Sequence, residues 1–332
     1  MPVLAIDTTP RKKRRRLPSL LMVALLVTVT GAVGMLIAAR RTVEAIPRVP
    51  KVADVLSPAS ENVDNYLLVG SDSRAQGDPN TGDGSADIGQ RSDTIMVLRY
   101  DKSSGEASLL SIPRDLWVEI ADGSGPERIN GAFGKGPEVL VQTVQQALGI
   151  PVHHYVEIDF TGFKGLVEAL GGVQVCFLYP TRDLNTGLKV TQPGCHVLNG
   201  TQALAYARSR HYEEFKDGDW RTDPTSDLGR SQRQRQFVNA CLQETVAQLK
   251  TNPFRAGELV TAIGDAVRLD EHLDPIEAGS SLRSAVDGGL KSYALPVVPK
   301  TVGKKAVLLL GDGSDAVLAY FRGEGPAPAA AP

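Results

Sequence analysis

The sequence predicts a layered α-β-α domain of the α/β class, with a mixed central sheet, preceded by one N-terminal transmembrane helix. Three observations predict it. Apolar runs of strand length alternate with segments of helical spacing from about residue 62 onward. An uncharged apolar stretch at residues 17–39 is long enough to span a bilayer. Arginines and aspartates recur at the ends of the apolar runs, where an α/β sheet presents side chains into one crevice.

The basic run at residues 11–16 outweighs Arg40 and Arg41, so the positive-inside rule keeps residues 1–16 in the cytoplasm and the rest of the chain outside. A cleaved signal peptide is the competing reading. Against it, the apolar region is long, and Ala38 and Ala39 run straight into two arginines. Residues 40–61, with Pro47, Pro50 and Pro58, read as a stalk. The net charge of −2 conceals an asymmetry: beyond residue 41 there are 28 basic against 37 acidic residues, a formal charge near −9. That sign excludes a sequence-nonspecific DNA binder.

The folded domain is placed at 62–322. Residues 65–70 form a strand that delivers Ser71-Asp72-Ser73-Arg74, and a Gly, Asp, Asn and Ser-rich loop follows at 75–90. Residues 94–100 form the next strand, entered through Arg91-Ser92-Asp93. A turn at 101–105 leads into 107–112, which ends at Pro113-Arg114-Asp115. Residues 137–148 have helical spacing, with Val139, Leu140, Val144 and Leu148 on one face and a proline at the start. A strand at 155–158, a helix at 160–170 closed by Gly171-Gly172, and a strand at 173–177 continue the alternation.

A short helix at 201–207 follows Asn199-Gly200 and projects Arg208 and Arg210 at its end. Residues 213–226 are polar, acidic and aromatic, and read either as a lid or as an ordinary exposed loop. Arg230, Arg233, Gln234 and Phe237 recur at three- and four-residue spacing on one helix. Residues 246–322 read as helices at 255–267 and 275–286 and a strand at 293–298, covering the opposite sheet face and shaping an apolar cavity. Residues 323–332 read as a disordered Pro-Ala tail.

Cys176 ends an apolar run and Cys195 begins another after a turn-rich stretch, the pattern of two neighbouring strands, so a disulfide between them fits an exported domain. Cys241 falls in a helix and reads as a buried, unpaired thiol.

Five constellations carry the candidate chemistry: Asp72-Ser73-Arg74, Arg91-Ser92-Asp93, Arg114-Asp115, Arg208-Ser209-Arg210 and Asp227-Leu228-Gly229-Arg230. Any one pair is ordinarily a solvated ion pair. Five at element ends are not so explained, and Arg208 and Arg210 repel each other unless an anion lies between them. Carboxylates without histidines suit a hard cation such as Mg2+, and guanidinium forks suit phosphate oxygens. The constellation reads as a pyrophosphate site. His153-His154 lacks a second ligand cluster and reads as a surface feature at a strand start.

At these residues the chain resembles the LytR-CpsA-Psr family of cell-wall enzymes. The resemblance rests on Leu67-Leu68-Val69-Gly70-Ser71-Asp72-Ser73-Arg74, Arg91-Ser92-Asp93-Thr94, Ser111-Ile112-Pro113-Arg114-Asp115 and Arg128-Ile129-Asn130-Gly131-Ala132-Phe133. It continues through Leu170-Gly171-Gly172-Val173, Ala205-Tyr206-Ala207-Arg208-Ser209-Arg210 and Asp227-Leu228-Gly229-Arg230-Ser231-Gln232-Arg233-Gln234. It implies a phosphotransferase that moves a glycopolymer from a polyprenyl-pyrophosphate carrier to the 6-hydroxyl of N-acetylmuramic acid in peptidoglycan, making a phosphodiester.

It further implies that Asp72, Asp93 and Asp227 hold Mg2+ (or Mn2+). Asp93, Arg91, Arg114, Arg208, Arg210 and Arg230 would form the catalytic set, and Arg74, Arg233 and Gln234 would contact substrate. The implied partners are the lipid-linked donor, the peptidoglycan acceptor and membrane lipid, with no nucleic acid. The implied place is the cell membrane, single-pass, with the catalytic domain extracellular. The chain departs from the family pattern at Arg233-Gln234-Arg235, where Arg-Gln-Gln is usual. Two other classes stay open on the residues alone: a pyrophosphatase, and a lipid-pyrophosphate-binding regulator without turnover.

Overall fold

Three consecutive apolar runs pair as an antiparallel meander: β1 (Val63–Ser71), β2 (Ser92–Asp101) and β3 (Ala107–Ser111). They belong to a computed structural model that describes residues 44–71, 92–252, 256–275, 277–279 and 289–330. The turn after β2 follows from Asp101, whose Oδ1 accepts from the Ser103 and Ser104 amides, and from Gly105, whose positive φ of 71° closes the loop. The sheet grows outward on both sides. Strand β6 (His154–Ile158) lies parallel to β1, with β13 (Val267–Leu269) antiparallel beyond it, and β14 (Lys291–Ala294) lies parallel to β3. The result is a six-stranded mixed sheet in the order β13-β6-β1-β2-β3-β14.

The sheet is buried on both faces, as its near-continuous apolar strands require. On one face, Leu67, Val69, Ile95, Val97 and Leu110 pack against a short helix α1 (Pro50–Ala53), α2 (Asn130–Phe133) and α3 (Pro137–Leu148). Tyr66, Met96, Leu98 and Leu109 face the other way, toward Leu166 of α4 (Phe160–Ala169) and residues of two later helices. Helix α3 begins at its proline and ends at Gly149, which is left-handed at φ 70°.

The remaining elements form satellites. Strands β4 (Trp117–Ile120) and β5 (Gly125–Arg128) make a hairpin. Strands β7 (Val173–Phe177) and β10 (Gly194–Leu198) pair so that Cys176 and Cys195 stand opposite each other, and a disulfide joins them. Between them lie β8 (Thr181–Asp183) and β9 (Leu188–Val190). Helix α5 (Gly200–Arg208) starts in a capping box between Asn199 and Gln202. The stretch after it, read from sequence as a lid or a loop, is a β-hairpin of β11 (Glu213–Lys216) and β12 (Asp219–Thr222) that adds to β8 and makes a four-stranded sheet. Phe215 packs against Trp220 across it, a cross-strand aromatic pair that gives the hairpin its register.

Helices α6 (Ser226–Thr251) and α7 (Ala256–Ala266) complete the second face through Val238, Ile263 and Ala266. A hairpin of β15 (Val297–Val302) and β16 (Lys305–Leu310) and helix α8 (Ser314–Arg322) end the described chain. Two expectations change here. The C-terminal segment does not cover only the opposite face: β14 extends the main sheet, and Leu318 and Phe321 of α8 pack beside α3. The segment read as a stalk is packed over its described part, with Ile46 and Val52 buried in the cores on the two sheet faces and Arg48 bridged to Leu269 of the edge strand β13. Residues 17–39 lie outside the described residues, and no helix among the described residues is long and apolar enough to cross a membrane. Cys241 is the free cysteine on α6; it is half-buried, and burial pushes its thiol up to about 12.

Close helix contacts on the second face depend on glycine. A Cβ at Gly162 of α4 would collide with the Ala266 carbonyl of α7, whereas a Cβ at Gly165 on the same helix would meet nothing within 4 Å. Gly162→Ala is therefore expected to cost about 1–3 kcal/mol through overpacking. Gly165→Ala should add roughly 0.5–1 kcal/mol through helix propensity. Urea unfolding of both variants checks this, and equal shifts of the same sign would contradict the packing.

Candidate functional site

The C-terminal ends of β1, β3 and β6 and the N-terminal end of β2 lie at one end of the sheet, since β2 runs against its neighbours and β6 runs with β1. Asp93 is the second residue of β2 and Arg114 follows β3 through Pro113. Arg210 follows α5, and Asp227 opens the first turn of α6, where the helix dipole favours a carboxylate. Four segments far apart in sequence thus meet in one crevice.

Their side chains interlock. Arg114 donates from Nη1 to Asp93 Oδ1 at 2.7 Å and from Nη2 to Asp227 Oδ2 at 3.4 Å. Arg210 repeats the bridge, with Nη2 at 3.3 Å from Asp93 Oδ1 and Nε at 3.4 Å from Asp227 Oδ1. Arg230, one helical turn beyond Asp227, approaches the same Oδ1 at 3.3 Å. Arg114 also lies 3.5 Å from Asp115, which faces Arg128 at 3.3 Å. The Arg230 side chain is 3% exposed and that of Arg210 is 36% exposed, so the group runs from a buried base to an open mouth.

The electrostatics follow from this crowding. Burial pushes Arg230 down to about 10; Asp227 opposes that, and Arg210 and Arg114 add to it. It stays charged at neutral pH, in surroundings that an added anion would relieve. Burial works against ionisation of Asp227 as well, but Arg230, Arg114 and Arg210 outweigh it and hold this carboxyl below its usual range. Asp115 goes the other way: burial raises it, Arg114 and Arg128 lower it, and a hydrogen bond with Asp227 and the Asp227 charge leave it raised.

Not every predicted residue joins this group. With Ser209 extended at the end of α5, Arg208 parts from Arg210 and lies over the Phe160 ring at 4.5 Å, and among the described residues it makes no ion pair with Asp93 or Asp227. No anion is needed between Arg208 and Arg210 to separate them. Arg233 binds Asp223 at 2.9 Å and the Ser209 carbonyl at 2.7 Å, and lies over Tyr212 at 4.3 Å. Gln234 donates to the Ala207 carbonyl at 3.1 Å. Both side chains donate to carbonyls at the end of α5, so here they brace Arg210 from behind. Asp72, Arg74 and Arg91 lie outside the described residues.

The most consequential residue missed by sequence reasoning is Asp183. Its Oδ2 accepts from Ser209 Oγ at 2.6 Å, the Arg210 amide at 3.1 Å and the His211 amide at 3.0 Å, and its Oδ1 accepts from the Asn185 amide at 2.9 Å. It fixes the backbone from which Arg210 projects. Only an Asp-Leu-Asn turn signal marked it. His153 and His154 do sit at a strand start, but not as a plain surface feature: His153 Nδ1 accepts from the buried Asn65 amide at 2.9 Å and His154 stacks on Tyr66.

The oxygen-only character of the crevice fits a hard divalent cation. Asp227 Oδ1 and Asp115 Oδ1 are buried without a hydrogen bond, so acceptor capacity is in reserve. Among the described residues no group of three metal-ligating side chains forms; Asp93 and Asp227 would supply two ligands.

Burial raises Asp183, but Ser209 and three backbone amides outweigh it and hold the carboxyl below its usual range. Its stabilising effect is therefore present above the unfolded value of about 3.9 and is lost as pH falls through the lower folded value. Asp183→Asn should cost about 1–3 kcal/mol at pH 7, with the difference from the parent shrinking below about pH 4. Urea unfolding across that range checks it; a pH-independent difference would contradict the assignment.

Comparison with known proteins identifies the family and the fold. The LytR_cpsA_psr family description matches residues 37–316. The probable cell wall biosynthesis protein LcpB of Corynebacterium glutamicum is 37% identical over 240 residues, 70% of this chain and 54% of that protein. A polyisoprenyl-teichoic acid–peptidoglycan teichoic acid transferase, TagU of Halalkalibacterium halodurans, is 35% identical over 225 residues, 67% of this chain and 66% of that protein. The chain thus spans between about half and two thirds of the length of these relatives. Among solved structures, a LytR-Csp2A-Psr enzyme from Actinomyces oris aligns with TM-score 0.65 at 27% identity, over 83% of this chain and 95% of that one. TagT bound to LI-WTA aligns with TM-score 0.60 at 22% identity, over 84% of this chain and 98% of that one, and shares the fold. This chain belongs to the LytR-CpsA-Psr family.

Proposed function

We propose that this protein transfers a glycopolymer from a polyprenyl-pyrophosphate carrier to peptidoglycan, as a phosphotransferase that forms a phosphodiester. The observation that carries the reading is the double bridge in which Arg114 and Arg210 each touch both Asp93 and Asp227, with Arg230 behind. Partly buried guanidiniums in a fixed array are the groups that phosphate oxygens select. Relatives named as wall-polymer transferases support the same substrate class.

In the reaction, the hydroxyl oxygen of the acceptor sugar bonds to the phosphorus next to the glycan, and the bond from that phosphorus to the bridging oxygen breaks. Polyprenyl phosphate leaves and the hydroxyl proton is released. Arg114, Arg210 and Arg230 bind the non-bridging oxygens and hold the pyrophosphate in one orientation, so the charge gathering on the leaving phosphate meets fixed positive groups. Asp183, Arg233 and Gln234 keep Arg210 in place. Asp93 and Asp227, with Asp72 by family resemblance, would hold Mg2+ or Mn2+, which when bound neutralises phosphate charge. Arg91 and Arg74 are proposed on the same resemblance. Anchoring by residues 17–39 would place the domain outside the membrane beside its lipid-linked donor.

The test incubates the full chain with a polyprenyl-pyrophosphoryl glycan, peptidoglycan strands and Mg2+, and follows the phosphorus by mass spectrometry. Glycan joined to muramic acid through phosphate is the expected product. Asp93→Ala and Arg114→Ala should lower its rate by about 10²–10³-fold, and Arg114→Lys should not restore it, because an ammonium cannot bridge two carboxylates as a planar fork does. Chelation should abolish transfer, and Mg2+ should restore it. Free glycan phosphate alone would point to a pyrophosphatase. Donor binding without turnover would point to a regulator.

A further inference from the structure

Beside Arg208 a half-open cavity of about 830 Å3 lies between α4, α5 and strands β9 and β10. Helix α5 presents Thr201, Leu204, Ala205 and Arg208 to it, the i, i+3, i+4, i+7 stripe of one helical face. The floor is apolar, made by the buried Leu188, Val190 and Leu198. The rim is polar and uncharged at Asn185, Thr186 and Gln202, and cationic at Lys164, Lys189 and Arg208. Among the described residues no aspartate or glutamate lines it, although the chain beyond residue 41 carries a formal charge near −9.

That charge pattern selects the ligand. Lys189 and Arg208 at a concave space whose described lining holds no acid concentrate positive potential where the rest of the domain is acidic. The volume exceeds what a phosphate fills and lies in the range of small-molecule sites. An apolar floor with amide and hydroxyl groups around it matches a sugar ring, which offers a C–H face and hydroxyl edges. The walls are held in shape: the Cys176–Cys195 disulfide pins β10 next to His196, the Asn199–Gln202 capping box fixes the start of α5, and Arg208 rests on Phe160.

We propose that this cavity binds an anionic sugar unit, a ring or polyol bearing phosphate or carboxylate, as a subsite next to the Asp93–Asp227 crevice. Its place in transfer rests on the function proposed above; the binding itself does not. The anionic unit lies in the cavity with its charge toward Lys189 and Arg208. The cavity and the crevice flank the end of α5, with Arg208 facing the one and Arg210 the other. Two sources present this chemistry: the donor polymer, through phosphate-linked units, and the acceptor strand, through the carboxylate of muramic acid.

The test is a ligand-observed NMR titration of the full chain with three probes: a glycerol phosphate oligomer, an N-acetylglucosamine–N-acetylmuramic acid disaccharide, and neutral chitobiose. At least one anionic probe should bind, weakening as salt is raised, with chitobiose binding at least about tenfold more weakly. Lys189→Glu should weaken the anionic probe about tenfold or more and Lys189→Arg should retain it, both with unchanged thermal midpoints, since this side chain is exposed. The phosphate oligomer binding alone identifies the donor as the source, and the muramyl disaccharide alone identifies the acceptor. Chitobiose binding equally well, an unchanged affinity in Lys189→Glu, or no binding of any probe overturns the proposal. Asp93→Ala should leave probe binding intact. Lysine-dependent binding without any transfer product would sink the transferase reading alone, and transfer with an unchanged KM in Lys189→Glu would sink the subsite alone.

Discussion

Two carboxylates that share two guanidiniums set the terms for everything around them. Asp93 comes from the sheet and Asp227 from the start of a long helix, and Arg114 and Arg210 each reach both. The bridge fastens α6 to the sheet end at charged side chains that are only partly buried. Pairs so placed gain more from their charge than exposed ones and lose more if one partner goes. The arrangement is a locked form of the groups that a diphosphate and a metal would engage: the guanidiniums already point at oxygens, and those oxygens already point inward.

Holding that bridge requires structure behind it. Arg210 sits on non-helical backbone, which needs its amides satisfied, and Asp183 satisfies those of Arg210 and His211 together with the Ser209 hydroxyl. Arg233 and Gln234 reach across from α6 to the carbonyls of Ser209 and Ala207, the groups that the end of α5 leaves without helical partners. Arg233 and Gln234, which the family resemblance implies contact substrate, here hold the end of α5. Arg208 is turned to the other side, where a cavity with a cationic rim opens.

Much of the fold was legible because its signals are local. The helix at Pro137–Leu148 and the strand at Val173–Phe177 have the bounds their periodicity predicts, and the disulfide joins the two cysteines whose flanking runs read as neighbouring strands. What failed to show was decided by partners far away in the chain. The 44–60 segment is too rich in proline to read as packed, yet Val52 is fully buried because α1 packs beside α3 in the core on one sheet face. The hairpin of β11 and β12 did carry a local sign, the two-residue Asp217-Gly218 turn with both residues at positive φ, which the polar and acidic character of the stretch obscured, and pairing with β8 ties it to the domain. In the site, element ends located Asp93, Arg114, Arg210, Asp227 and Arg230, but no spacing rule distinguishes an arginine that faces the crevice from one that braces it.

A crystal structure of the full chain with a short polyprenyl pyrophosphate and Mn2+ tests the central claim most directly, since anomalous scattering locates the metal and the phosphorus positions report the anion. The account predicts the metal on Asp93 and Asp227, and the diphosphate in contact with Arg114, Arg210 and Arg230. A diphosphate bound elsewhere, with both bridges between Asp93 and Asp227 intact, would contradict it.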